Sequence, residues 1–238
     1  MRTFMRVFDV TSGSAADIAA AIAQSSEQSR DRLGTDIFYH SGTVTAQCRQ
    51  ALLGHAPATI WLTGLSGAGK STLAYALEKA LLDLAHPCFV LDGDNFRHGL
   101  SKDLGFSAPD RRENIRRTAE VAHLMNEAGL IVITAFISPF RDDREMARAI
   151  IGDARFVEVH VSTPVAVCEQ RDPKGLYVRA RAGQLAEFTG ISSPYETPPT
   201  PDLVLDTGAL PLKDSTQTLL DLIAERCFKC AGNTGRAP

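Results

Sequence analysis

Long apolar runs are missing from this chain: the longest, such as residues 130–137, have the length of a core strand, far short of the ~18 to 20 residues that a membrane span needs. A basic excess is missing too. Lys and Arg number 25 against 28 Asp and Glu, a net charge of −3, which removes the electrostatic footprint of a nucleic-acid or membrane-surface binder and leaves a small molecule as the expected partner. No disulfide framework is present, because the five cysteines are odd in number and scattered at Cys48, Cys88, Cys168, Cys227 and Cys230. Cys227 and Cys230 have C-x-x-C spacing, yet no second Cys or His pair completes a zinc site. A helix-end cysteine beside an exposed tail cysteine is expected there. A secretory leader is not expected either: Arg2 and Arg6 precede a stretch at 15–23 that is too weakly apolar, and Asp9, Asp17 and Glu27 are interspersed. The expected compartment is the cytoplasm.

What the chain does have is 238 residues with 44% apolar content, enough to bury a full core in one domain with extras or in two small ones. From residue 59 onward, apolar runs of strand length alternate with helix signals. Strands are expected at 59–63, 88–91, 130–135, 156–161 and 203–205. Ser107 and Asp110 open a helix that runs to Asn126, with Ile115, Ala119, Ala122 and Met125 on its apolar side and Gly129 at its close. Thr163 and Pro164 read as N-cap and first residue of another, and 215–227 as the last, with Leu219, Leu220, Leu222 and Ile223 as its core face. This alternation predicts a three-layer α/β fold, a mostly parallel sheet with helices on both faces, and ligands beyond the carboxyl ends of its strands. Residues 1–35, rich in Ala, Ser, Asp and Gln, read as a poorly ordered or weakly helical extension; 36–228 form the main domain and 229–238 a tail. The proline-rich stretch 194–201 reads as a stiff spacer.

The strongest chemical statement is the run Gly64, Leu65, Ser66, Gly67, Ala68, Gly69, Lys70, Ser71, set between the first strand and a helix. It reads as a phosphate loop for a nucleoside triphosphate. Its glycines let backbone N–H groups turn toward phosphate oxygens with no side chain in the way. Lys70 can reach the β and γ phosphates, and the Ser71 hydroxyl can ligate Mg²⁺. The helix continuing from Thr72 points its positive end at the same phosphates.

The other strand ends carry polar chemistry as well. After the second strand come Asp92, Asp94, Asn95 and Arg97. Asp94 could hold Mg²⁺ through water or accept a proton from an attacking hydroxyl, and Arg97 could clamp an anion. The bland alternative is an Asx-rich turn of solvated charges, but the neighbouring phosphate loop favours function. The helix from Asp110 carries Arg111, Arg112, Arg116 and Arg117, with Glu113 and Glu120 interleaved. Pairing of Arg116 with Glu120 explains part of this run. Arginines in a first helical turn nevertheless oppose its dipole, so Arg111 and Asn114, on one face, are candidates for a second anionic substrate, while Arg112 and Arg117 face solvent or pair structurally. After the third strand, Ser138 and Pro139 fit a simple turn as well as a site hydroxyl. Residues 168–181, with six charges in fourteen positions, fit a basic helical flap over a nucleotide or an ordinary exposed helix pair.

Taken in order, the strings at 64–72, Leu-Asp-Gly-Asp-Asn at 91–95, Asp-Leu-Gly-Phe-Ser at 103–107, Asp110-Arg111 with 113–117, Phe-Ile-Ser-Pro at 136–139, Arg-Asp-Pro-Lys-Gly-Leu-Tyr at 171–177 and Phe-Thr-Gly-Ile at 188–191 closely resemble the adenylylsulfate kinases. The resemblance runs from about residue 36 to about 225, including the leader at 37–40 and 44–45. Only the phosphate loop is generic to nucleotide enzymes. The resemblance implies transfer of the ATP γ-phosphoryl group to the 3′-hydroxyl of adenosine 5′-phosphosulfate, giving 3′-phosphoadenylylsulfate and ADP with Mg²⁺. It implies catalytic roles for Asp94, as base, and for Lys70 and Ser138, with Ser71 at the metal and Arg171 on the ATP side. Asn95, Arg97, Phe106, Arg111, Asn114, Ile137, Ser138, Lys174 and Phe188 fall on the sulfonucleotide side, where Phe106 and Phe188 would sandwich adenine. Ser138 matches the serine that the family describes as a phosphorylated intermediate. In-line transfer needs only positioning, metal and charge neutralisation, so a serine that hydrogen-bonds substrate serves equally well. A homodimer and functional coupling to the ATP sulfurylase that makes the acceptor are also implied. Two departures stand out: Val178-Arg179 replaces the usual Lys-Lys after Gly-Leu-Tyr, removing one flap cation, and the extension before residue 36 is longer than a minimal kinase of this type carries.

Other classes fit less of the chain. A nucleoside monophosphate or sugar-acid kinase would share 64–71 but has no reason to carry Asp-Gly-Asp-Asn and Phe-Ile-Ser-Pro at successive strand ends. A nucleotide-dependent switch protein would need a guanine-reading Asn-Lys-x-Asp string, which is absent. Retention of Lys70, Ser71 and Asp94 opposes a weakened regulatory domain.

Overall fold

A computed structural model describes Phe38, His40 and residues 42–228. The chain divides into two units, 1–45 and 46–238. In the first, Phe38, His40 and 42–45 are exposed and belong to no helix or strand; the expected extension at 1–35 and the tail at 229–238, with Cys230, lie outside the described residues.

The second unit carries helix α1 (Ala46–Leu53), strand β1 (Thr59–Thr63), α2 (Lys70–Asp83), β2 (Cys88–Asp92), α3 (Gly93–His98), α4 (Ala108–Glu127), β3 (Ile131–Ala135), α5 (Arg141–Ile151), β4 (Phe156–Val161), α6 (Val165–Arg171), α7 (Leu176–Arg181), β5 (Leu203–Leu205) and α8 (Leu212–Ile223). All five strands are parallel, in the order β2-β3-β1-β4-β5. Strand β1 is therefore central, with Leu62 beside Ala135 of β3 and Thr63 beside His160 of β4. The sheet winds outward in both directions from β1. Its carboxyl end is the switch point where open α/β sheets bind ligands.

Alternation along each strand divides the core in two. Ile60 and Leu62 join Ile131, Ile133, Val157 and Val159 against Leu73, Leu77 and Leu81 of α2 and Leu219 and Ile223 of α8. Trp61 and Val132 point the other way, against Ile115, Ala119 and Ala122 of α4 and Ala147 and Ile151 of α5. Burial on both faces is why the strands read as continuous apolar runs. Among the described residues no helix is long and apolar enough to cross a membrane.

The expected strands at 59–63, 156–161 and 203–205 form with those bounds; β2 runs on to Asp92 and β3 starts at Ile131. Ser107 caps α4 as its spacing predicts, its hydroxyl accepting from the Asp110 amide at 3.3 Å. Thr163 does not cap α6. The helix starts at Val165, and the Thr163 hydroxyl instead donates to the Ala68 carbonyl at 3.1 Å. The last helix begins at Leu212, three residues earlier than expected, and closes through a π turn, Ala224–Phe228, that buries Cys227.

Candidate functional site

The phosphate loop joins β1 to α2, and its geometry demands glycine where the chain doubles back. A Cβ on Gly64, at φ 152°, would lie 2.4 Å from the Val161 carbonyl oxygen, and one on Gly67, at φ 74°, 2.9 Å from that of Cys168. Every carbonyl from Gly64 to Gly69 accepts a hydrogen bond. Lys70 Nζ donates to Gly64 O (2.9 Å) and Leu65 O (2.8 Å), and the Tyr177 hydroxyl to Ser66 O (2.9 Å). Arg171 Nη1 reaches Gly67 O (3.4 Å), Thr163 and Thr207 both donate to Ala68 O (3.1 and 2.7 Å), and the Leu73 amide takes Gly69 O (2.9 Å). With its carbonyls engaged, the loop offers an anion its N–H groups and the lysine. Thr72 stands exposed in the first turn of α2 behind it.

Ser71 opens α2 with its hydroxyl donating to Asp92 Oδ2 at 2.6 Å. Asp92 is buried at the end of β2, and its Oδ1 accepts the Asp94 amide at 3.0 Å, capping α3. A hydroxyl and a carboxylate in contact beside a phosphate loop are hard oxygen donors of the kind Mg²⁺ takes.

On the other side of Asp92 stand the residues expected to face an acceptor. Asp94 and Lys174 form an ion pair with both side chains more than half exposed. Asn95 donates to the Tyr75 hydroxyl (3.1 Å). Arg97 donates to Leu104 O (3.2 Å) and Gly105 O (2.7 Å), and its guanidinium lies 4.2 Å from the Phe106 ring centroid. Arg111 spends its guanidinium on the protein: Nε donates to Phe106 O (2.7 Å), Nη1 to the Thr189 hydroxyl (2.7 Å) and Nη2 to Glu187 O (2.5 Å). It thus staples the Phe106 loop to the segment bearing Phe188, whose ring meets Tyr177 edge-on with centroids 5.0 Å apart. Asn114, nearly one turn along α4 from Arg111, is buried with Oδ1 unpartnered among the described residues. Arg112 pairs with Asp143, Arg117 with Asp103 and Glu113, and Arg116 with Glu113 and Glu120. The first two are structural, as one of the sequence alternatives has it. The two guanidiniums on Glu113 hold its carboxyl down to about 2.

The turn after β3 holds Ile137 and Ser138 against β1. Ile137 O accepts the Thr63 hydroxyl at 2.7 Å, and Ser138 Oγ accepts Trp61 Nε1 at 3.1 Å with the residue only 2% exposed. The charged segment at 168–181 forms two short helices hinged at Asp172, whose carboxylate accepts the amides of Leu176 (2.8 Å), Tyr177 (3.0 Å) and Val178 (3.1 Å). Buried Tyr177 anchors it to the phosphate loop, and Val178 is 71% exposed. The proline-rich stretch is no spacer. Its Tyr195 hydroxyl lies 3.0 Å from that of Thr63, and Glu196 bonds Pro139 and Arg141 just after Ser138.

The family model described as adenylylsulphate kinase matches residues 56–206. The chain belongs to the adenylylsulfate kinase family. The adenylyl-sulfate kinase of Shewanella pealeana is 56% identical over 190 residues, covering 80% of this chain and 93% of that protein. That of Shewanella amazonensis is 56% identical over 187 residues, covering 79% and 94%. Among solved structures, the Mycobacterium tuberculosis APS kinase CysC, in complex with AMPPNP and APS, is 48% identical with a TM-score of 0.68, covering 70% of this chain and 97% of that one. A hexameric APS kinase from Thiobacillus denitrificans is 35% identical with a TM-score of 0.55, covering 72% of this chain and 29% of that one.

Within this adenylylsulfate kinase fold, the contacts of several residues go beyond what the sequence marks. Asp92 is overshadowed by Asp94, although closing an apolar strand beside a phosphate loop is a position that signals it. Tyr177, Thr207 and Tyr195 meet their partners 111, 139 and 132 positions away, and no local pattern announces such contacts. Burial lowers the Lys70 ammonium to about 8. Below that pH the free kinase presents a charged lysine; above it, triphosphate binding must take up a proton. ATP affinity is therefore expected to be level below pH 8 and to fall by up to about tenfold per unit above it, measured by calorimetry across the range. An affinity that stays level to about pH 9.5 would refute this assignment.

Proposed function

We propose that this kinase transfers the γ-phosphoryl group of ATP to the 3′-hydroxyl of adenosine 5′-phosphosulfate, giving 3′-phosphoadenylylsulfate and ADP. The observation that carries the reading is the apposition of two half-sites across Asp92: a phosphate loop with Lys70 and Ser71 on one side, and Asp94, Arg97, Phe106 and the Arg111 staple on the other. ATP sits against the loop N–H groups, and Lys70 turns from the Gly64 and Leu65 carbonyls to the phosphates. Asp94 takes the proton from the attacking 3′-hydroxyl, and Lys174, paired with it, holds the carboxylate in place. The hydroxyl oxygen then bonds to the γ-phosphorus as the bond to ADP breaks. Ser71 and Asp92 would hold Mg²⁺, which neutralises charge on the β and γ phosphates when bound.

Phe106 and Phe188 present apolar faces for adenine, Arg97 and Asn95 the polar groups around it, and Asn114 a buried acceptor in want of a donor. Arg111, with three hydrogen bonds to the chain, acts by keeping the two aromatic segments in register. Ser138 acts by position: its hydroxyl is buried against Trp61, where a phosphate ester would have to displace core side chains. Arg171 braces the loop through Thr207 on the ATP side. On the family resemblance, the active form is a cytoplasmic homodimer coupled functionally to ATP sulfurylase.

Purified protein given ATP and adenosine 5′-phosphosulfate is expected to release ADP in a coupled assay, in an acceptor-dependent manner. No ADP above background, with the same preparation active on another acceptor such as a sugar acid, would overturn the reading.

A further inference from the structure

The turn between β3 and α5 holds a conformation that needs outside support. Ser138 sits at φ 38°, in the left-handed region that a serine occupies only when its surroundings keep it there. The support comes from afar. Ser138 O accepts from Arg144 Nη1 (2.8 Å), and Pro139 O accepts the Glu196 amide (2.8 Å). The Arg141 amide donates to Glu196 Oε2 (2.7 Å), capping α5, whose own N-cap residue Phe140 has no side chain able to do so. Arg144, itself 2% exposed, also donates to Glu158 Oε1 (2.8 Å) and to Glu196 O (2.7 Å). Thr63 has one hydroxyl proton, and it goes to Ile137 O; the Tyr195 hydroxyl at 3.0 Å must therefore be the donor to Thr63. Burial pushes the Tyr195 phenol up to about 12, so this donor persists at every working pH. Its ring is stacked on His160, with centroids 5.7 Å apart.

The same segment continues back to Phe188. Phe188 O accepts the amides of Ile191, Ser192 and Ser193 at 3.0 to 3.1 Å, folding a compact turn, and Arg111 holds Glu187 and Thr189 at its start. Residues 187–196 are thus one strap with Phe188 near one end and Tyr195 and Glu196 at the other.

We infer that this strap sets the Ile137–Ser138 turn relative to Phe188, so that Tyr195 and Glu196, with Arg144, are positioning residues for the acceptor nucleotide and not for ATP. The inference rests on the acceptor site proposed above. The phosphate loop has anchors of its own in Tyr177, Thr163, Thr207 and Arg171. The strap and the turn it holds meet that loop through Phe188 on Tyr177, Gly190 beside Leu65 and the Ile137 carbonyl, not through Tyr195 or Glu196. Loss of the Tyr195 or Glu196 bonds is therefore expected to reach the acceptor before ATP.

Arg144 is a poor test, because its loss leaves buried Glu158 with only the longer Arg148 contact at 3.6 Å; Tyr195→Phe and Glu196→Ala leave the core intact. Tyr195→Phe removes one donor, an effect of about fivefold in affinity. It is expected to raise KM for adenosine 5′-phosphosulfate about fivefold, with kcat at saturating acceptor and the Kd for ATP within about twofold. Amide exchange at 137–141 is expected to quicken in both variants while α2 stays unchanged. An unchanged acceptor KM, or parallel losses of ATP and acceptor binding that track Tm, would overturn the inference. If the wild-type protein shows no turnover with this acceptor, the proposed function falls by itself, and unchanged exchange at 137–141 would then overturn the strap independently.

Discussion

Replacing Asp94 with Asn is expected to slow turnover about 10²-fold or more while leaving the Kd for ATP within about twofold. The asymmetry follows from where the two substrates are held. In the proposed site the triphosphate groups lie on the 64–71 loop and the amino end of α2, whereas Asp94 is in the first turn of α3, reaching outward to Lys174. An amide keeps the size and planarity of the carboxylate, and the Asp94 main-chain amide still donates to Asp92, so α3 keeps its cap. What goes is the proton acceptor, together with the charge that holds Lys174 in place. Steady-state kinetics with both substrates varied, alongside ATP titration of the variant, separates the two effects. Turnover equal to wild type would take Asp94 out of the proton transfer and make Asp92 the next carboxylate to test.

Gly64→Ala is expected to damage both the fold and the ATP site. A Cβ there meets the Val161 carbonyl oxygen at 2.4 Å and the Val161 Cβ at 3.3 Å, and both belong to β4, which pairs directly with β1. Neither strand can yield alone, because Thr63 is registered with His160 and Leu62 with Val159 at the centre of the sheet. Backbone strain at φ 152° adds about 1 to 3 kcal/mol, and overpacking adds about as much. Together they lower Tm by roughly 4 to 24 °C for a domain of this size. The loop that must shift is the one that binds phosphate, so ATP affinity drops at least about tenfold as well. Thermal melting and ATP titration read the two effects, and a variant matching wild type in both would show that β1 and β4 do not approach this closely in solution.

These two positions also mark how far local pattern reaches. Gly64 and Lys70 announce themselves, since a strand, a glycine-rich turn, a lysine and a helix must be adjacent in sequence to make a phosphate cradle. The strands at 59–63 and 156–161 are equally legible, because burial on both faces forces unbroken apolar runs. Ser107 is legible for a like reason: a cap bonds an amide three residues away. Asp94 is visible as chemistry, but its standing beside Lys174, 80 positions later, is not. Thr163 was expected to cap a helix and braces the phosphate loop instead; its hydroxyl found a better partner in a carbonyl 95 positions earlier. Arg111 shows the same limit from the other side: its place in a first helical turn suggested an anion ligand, whereas the folded chain gives its donors to Phe106, Glu187 and Thr189.

The prolines at 194–201 suggested stiffness, and stiffness is what a strap needs, but nothing in their composition says what it holds. Tyr195 and Glu196 reach Thr63 and Arg141 only because β1 lies next to β3 and the turn after β3 opens onto α5. From the sequence alone come the α/β class, the phosphate loop, the ordered strings of an adenylylsulfate kinase and the lack of a basic excess or a long apolar run, all readable along the chain without its fold. The tertiary structure alone decides which of two aspartates meets Ser71, how a buried arginine and a proline-rich strap set the Ser138 turn, and how six loop carbonyls are occupied. Those depend on the strand order β2-β3-β1-β4-β5, which brings distant segments to one sheet edge and which no local period encodes.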